Sequence, residues 1–285
     1  MRQSTRWLGL AGILAVAAVA LLGLLAFRDH LERRAREELQ TLAREWAARA
    51  DLWHTERGLI LLRLAEQRGL REGAQRLVSG APAEFRSGFL GATDAALRSQ
   101  TGSGSGFESL ALRDTLGNRL AGTGLDRDSL ALPANLERIG RLSLGDGRER
   151  WTVPVRDPQA RPLALLVADL NLAASRRPVL GGDLPPGTLA AVEDAAGARL
   201  WEGSDSLRLP PADSGAVTVQ LESRIWLLEH ATASQPGWVV LAARDRRAVL
   251  EGFPALVRRT ALVAGGGILL LAGLTWALTR DRRRS

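Results

Sequence analysis

The chain has 285 residues, 46% of them hydrophobic and 24% charged, which suits one or two folded domains and excludes wholesale disorder. It has no Cys, so no disulfide holds it. The formal net charge of +7 invites a nucleic-acid reading, but residues 28 to 258 hold 31 Arg against 30 Asp plus Glu, so the excess sits at the two ends. No nucleic-acid partner is expected.

Residues 7 to 27, WLGLAGILAVAAVALLGLLAF, carry no charge and are long enough to cross a bilayer core of about 30 Å. The run exceeds the apolar region of a signal peptide and ends without a small-residue cleavage site, so an uncleaved anchor is expected. Residues 260 to 278 form a second apolar run of the same kind. Arg2 and Arg6 precede the first span, and Arg280, Arg282, Arg283 and Arg284 follow the second. The positive-inside rule then places both ends in the cytoplasm and residues 28 to 258 outside, on the far face of a bacterial inner membrane.

Between the spans, Leu31, Ala35, Leu39, Leu42, Trp46, Ala50, Trp53, Ile60 and Leu64 recur at helical spacing with Glu and Arg between them. A long amphipathic helix is expected, continuous with the first span. Its stripe suits packing against its own domain, and Leu39, Leu42 and Trp46 also suit a homodimer seam, together with the membrane helices. Beyond the helix, LVSGAPAEF and SQTGSGSGF punctuate the chain.

The chain then repeats itself. LALRDTLGNRLAGTG, from Leu110, aligns with AAVEDAAGARLWEGS, from Ala190, matching Asp114 with Asp194 and Gly117 with Gly197. Each copy reads as a β-hairpin whose turn starts on Asp and needs a positive φ at Gly. A second hairpin comes after each copy. The first joins residues 151 to 155 to 163 to 170 around Asp157-Pro158, and the later one joins 225 to 231 to 238 to 243 around Pro236-Gly237. Trp151 and Trp226 stand as counterparts in this scheme. Two tandem antiparallel α+β modules are expected, at 107–180 and 181–258, behind a helical part at 28–106.

With these features the sequence resembles the double Cache family, PAS-like extracytoplasmic sensor domains of bacterial transmembrane receptors. The resemblance covers residues 28 to 258. It rests on the helix leaving the first span, the two D-x-x-G hairpins, VPVRDPQARPLALLVADLNL closing the first module, and PGWVVLAARDRRAVLEGF leading into the second span. It implies a membrane-distal module that binds a small molecule and a last helix that carries the signal into the bilayer. It also implies ligand contact by Asp169, at the end of LALLVAD, with Arg150 and Trp151 near the family's Arg and Trp positions. The paired tyrosines of amino-acid-binding members are absent, since the chain has no Tyr. Most members continue into a HAMP, kinase, cyclase or chemotaxis module. Residues 279 to 285 form only a basic tail, so output is expected from a separate membrane partner or from sequence beyond Ser285.

No enzyme, metal or cofactor is expected. His30, His54 and His230 lack the spacing of a helical zinc site, and no phosphate-binding glycine loop is present. Asp51 and His54, one turn apart, read as an ion pair on an exposed helix. Pro254 is expected to bend or interrupt the approach to the second span. The alternative function is a two-span envelope assembly protein, such as a polysaccharide chain-length regulator.

Overall fold

The computed structural model describes residues 2–80, 82–102, 105–123, 139–145, 147–195, 197–202, 209–211 and 217–281; the basic residues 282 to 284 lie outside them. Helix α1 (Arg2–Glu66) is one element of 65 residues, about 100 Å long, running from the first apolar segment into the folded body. Helices α2 (Arg68–Val78) and α3 (Ala83–Arg98) follow as a pair. They cover one face of a five-stranded antiparallel sheet, order β2-β1-β5-β4-β3, formed by β1 (Phe107–Arg113), β2 (Arg119–Thr123), β3 (Gly140–Gly145), β4 (Arg148–Arg156) and β5 (Pro162–Asn171).

A 3₁₀ turn and short helix α4 (Arg176–Leu180) lead to a second sheet of the same order, β7-β6-β10-β9-β8. Its strands are β6 (Thr188–Glu193), β7 (Arg199–Glu202), β8 (Thr218–Leu221), β9 (Arg224–Thr232) and β10 (Val239–Asp245). Helices α5 (Arg246–Val249) and α6 (Phe253–Asp281) complete the chain. The first sheet lies toward the end of α1 away from its apolar segment, so it is the distal module and the second sheet the proximal one. The four hairpins read from the turn chemistry are present, and the two edge strands β3 and β8 are additional to them.

The turns work as their residues dictate. Oδ1 of Asp114 accepts from the backbone N–H of Leu116 and of Asn118, and Gly117 holds φ at 93°. Burial pushes the Asp114 carboxyl up, but donation from Asn118, Leu116 and Gly117 outweighs it and leaves the carboxyl below its ordinary range. Asp194 and Gly197, with φ at 80°, repeat the device in the second sheet.

α1 is the spine of the main core. Ala35, Leu39, Ala43, Trp46, Ala50, Trp53, Leu61 and Leu64 are buried against both sheets, sharing one cluster with Leu110, Leu112, Val153, Leu166, Val192, Leu227 and Val240. Leu39 and Trp46 are fully enclosed and Leu42 packs partly against the same cluster, so these side chains are occupied within the chain. A homodimer seam through Leu39, Leu42 and Trp46 is therefore corrected: the stripe faces the chain's own sheets. Mid-helix Gly58 has a local cause, because a Cβ there would stand 3.1 Å from Cζ3 of Trp151.

Three other expectations change. Pro254 sits in the first turn of α6, where its missing N–H costs nothing, so it starts the helix and does not bend it. Asp51 and His54 do not pair: Asp51 accepts from the backbone N–H groups of Ser234 and Gln235, while His54 is wholly buried. Trp151 and Trp226 are not counterparts. Trp151 lies on the α1 side of its sheet, whereas Trp226 belongs to a separate cluster with Ala191, Leu209, Leu228, Leu241 and Ala243 on the other side.

Two helices, α1 and α6, contain segments long and apolar enough to cross a membrane, and none of either segment is buried in the folded body. The two helices pack together. Where β10 turns into α6, the proximal module is also tied to α1. Arg246 donates to Glu32 at 2.6 Å and Arg244 to Glu38 at 3.0 Å, and Asp245 caps α5 by accepting from the N–H of Arg247.

Candidate functional site

Strand pairing decides which polar groups can meet. On the distal sheet Asp169 of β5 stands opposite Arg150 of β4 on one side and Ser109 of β1 on the other. Directly paired residues share a face, so these three side chains converge on the face turned away from α1. Arg150 Nε donates to Asp169 Oδ1 at 2.6 Å and Arg150 Nη2 to Oδ2 at 2.9 Å, a bidentate pair, and the Ser109 hydroxyl donates to Oδ2 at 3.1 Å. Arg150 is 7% exposed. The hydrogen bonds from its guanidinium to Asp169 raise its pKa above the ordinary arginine value against the opposing effect of burial. Ala111, Thr152, Leu165 and Val167 stand beside the pair on the same face by register.

Trp151 does not join them. Being next to Arg150 on a strand, it points to the opposite face, where it is 0% exposed beside His54 and Gly58. Of the three residues named from the sequence, the fold brings Arg150 and Asp169 together and sends Trp151 into the core. Ser109 was missed, and the signal for it was the register across β1, which places it opposite Asp169.

The proximal sheet shows what this face looks like without charge. Leu228, Ala243 and Leu189 occupy the same cross-strand row that Arg150, Asp169 and Ser109 occupy in the distal sheet. Leu228 and Ala243 are buried in the smaller cluster, with Leu189 packed against it. One fold thus presents two sheets of equal order, one with a buried cation beside a half-buried anion and hydroxyl on its outer face, the other with a hydrocarbon core there. Among the described residues no group of three or more His, Asp or Glu side chains is placed to hold a metal ion.

No family model and no curated protein matches the sequence. Among solved structures, the extracellular domain of a candidate histidine kinase aligns with 77% of this chain and 98% of its own, with a TM-score of 0.51 and 14% identity. Two Pseudomonas aeruginosa PAO1 ligand-binding domains are also similar. That of the amino-acid chemoreceptor PctB, in complex with L-Arg, aligns with 76% of this chain and 97% of its own (TM-score 0.46, 14% identity). That of PctC, in complex with GABA, aligns with 74% and 100% (TM-score 0.45, 14% identity). The chain has the double Cache, PAS-like fold, which it shares with that histidine-kinase extracellular domain.

Proposed function

We propose that this chain is a membrane-anchored extracytoplasmic sensor, with residues 28 to 258 outside and a small-molecule site on the outer face of the distal sheet at Arg150, Asp169 and Ser109. The observation that carries the reading is the contrast between the two sheets. Hydrocarbon suffices on this face of the proximal sheet, so the ion pair in the distal sheet is not demanded by the architecture.

The chemistry limits the ligand. Removing one partner from a buried ion pair costs about 3 to 5 kcal/mol, so a ligand that separates Arg150 from Asp169 must replace both. A molecule with a carboxylate and an ammonium does this: the carboxylate takes the guanidinium fork, and the ammonium takes Asp169. The relay runs through the exit of β10. Arg246 and Arg244 hold that exit to Glu32 and Glu38 of α1, so a change in the distal module reaches α6 as a shift of about 1 to 2 Å against α1.

The test is a thermal-shift screen of the full chain in nanodiscs against small zwitterions, carboxylates and amines. A ligand present at about 100 times its Kd should add about 2.7 kcal/mol of stability. If no compound raises Tm, or if only apolar compounds do, the reading fails.

A further inference from the structure

α1 passes the junction of the two modules with Trp53 and His54 turned inward. The imidazole of His54 is 0% exposed, and neither ring nitrogen makes a hydrogen bond among the described residues. Trp151 of β4 meets it in a T-shaped arrangement, 4.5 Å between ring centroids, and Trp238, just before β10, does so at 5.8 Å. Indoles from the distal sheet and the proximal module thus flank one imidazole, and Trp53 of α1 stands 6.0 Å from Trp238. Glu149 completes the arrangement: its Oε2 lies 3.5 Å from His54 Nε2, buried and without a hydrogen bond.

A buried polar atom left without a partner costs about 1 to 3 kcal/mol, and here an imidazole and a carboxylate oxygen face each other unpaired. A proton on the imidazole makes Nε2–H a charged donor aimed at the Glu149 carboxylate, which pairs that nitrogen and the Glu149 oxygen together. Burial in apolar surroundings opposes the imidazolium, and an opposite charge within about 4 to 6 Å favours it. Among the described residues, other charged groups near the ring have partners of their own. Arg141 of β3 lies over the Trp151 ring at 4.7 Å. On α1, Arg57 lies over Trp53 at 5.2 Å, and Asp51 is bound to the backbone of Ser234 and Gln235. Among the described residues, Glu149 is the carboxylate within reach of Nε2.

We infer that His54 is a proton-binding site at which the imidazolium, paired with Glu149 between Trp151 and Trp238, fastens α1 to the distal sheet at its junction with the proximal module. Glu149 and Arg150 are neighbours on β4 with side chains on opposite faces, so proton uptake acts on the strand from behind Arg150. That consequence rests on the sensor reading; the proton site does not.

His30 and His230 are exposed, so the His30→Asn/His230→Asn variant leaves His54 as the sole imidazole. The full-length variant in nanodiscs, labelled with carbon-13 at the imidazole, is titrated by NMR from about pH 8 to about pH 5. The carbon-13 signature of the imidazolium is expected, and adding Glu149→Gln should weaken or abolish it by removing the facing charge. Should Glu149→Gln not fold, Glu149→Asp retracts the carboxylate and should weaken the imidazolium signal by less. An imidazole that stays neutral throughout, or an imidazolium signal unchanged by either substitution, overturns the proposal whether or not any small molecule binds.

Discussion

Replacing Asp169 by Ala removes the acceptor of two charged hydrogen bonds and of the Ser109 hydroxyl, leaving the Arg150 guanidinium buried without its counter-charge. Breaking a buried pair in this way costs about 3 to 5 kcal/mol, and the 16% exposure of the Asp169 side chain puts the effect near about 3. For a body of this size, about 3 kcal/mol lowers Tm by roughly 6 to 12 °C. The double variant Arg150→Leu/Asp169→Ala installs the pair that the proximal sheet already carries at Leu228 and Ala243, in the same register. It removes both charges together, so it should lie within about 1 kcal/mol of wild type. The assay is thermal unfolding of the full chain in nanodiscs, followed by Trp fluorescence in the absence of added ligand. A double-mutant cycle then gives a coupling of about 2 kcal/mol or more between the two sites. If Asp169→Ala is within about 0.5 kcal/mol of wild type, or the double variant is worse than the single, the pair is not the buried, closed unit described here.

Gly122 has φ at 145°, and a Cβ there would stand 2.6 Å from Ala111 Cα and from the Leu110 carbonyl oxygen, so Gly122→Ala should destabilise by about 2 kcal/mol or more in the same melt. Burial pushes the Glu32 carboxyl up, but hydrogen bonds and charge from Arg246 and Arg28 hold it below its ordinary value. That contribution is fully present above the unfolded value of about 4.3 and is lost as pH falls through the folded one, so Glu32→Gln should be destabilised near neutrality and converge on wild type in acid. Convergence at neutral pH instead would show that the carboxylate is not held by these arginines. Leu116 is 82% exposed at a hairpin turn of a chain without Cys, so Leu116→Cys should react with a membrane-impermeant maleimide on intact spheroplasts; reaction only after lysis would reverse the topology.

The hairpins were legible because their turns carry their own chemistry: Asp114, Asp157 and Asp194 bind the backbone N–H groups of their own turns. The edge strands β3 and β8 were not. GRLSLG and TVQL are short and only weakly apolar, and pairing with β4 and β9 makes them strands. The Trp151 and Trp226 match failed because a strand's faces alternate at every residue, so a small error of offset moves a side chain to the other side of its sheet. The same alternation could have separated Trp151 from Arg150 at the outset. His54 continues the buried stripe at Ala50 and Trp53 by helical spacing, so its burial was written in the periodicity, and only its company with Asp51 suggested a surface pair. The Arg150 and Asp169 contact needed the β4 to β5 register, which depends on the length of the Asp157 turn.

The most direct test of the sensor account is to locate a bound ligand. A co-crystal structure of the full chain with a stabilising compound from the thermal screen should show that compound between the Arg150 guanidinium and the Asp169 carboxylate, with their direct hydrogen bonds replaced. A ligand seated instead against Leu228 and Ala243 of the proximal sheet, with the Arg150 and Asp169 pair intact, would contradict it.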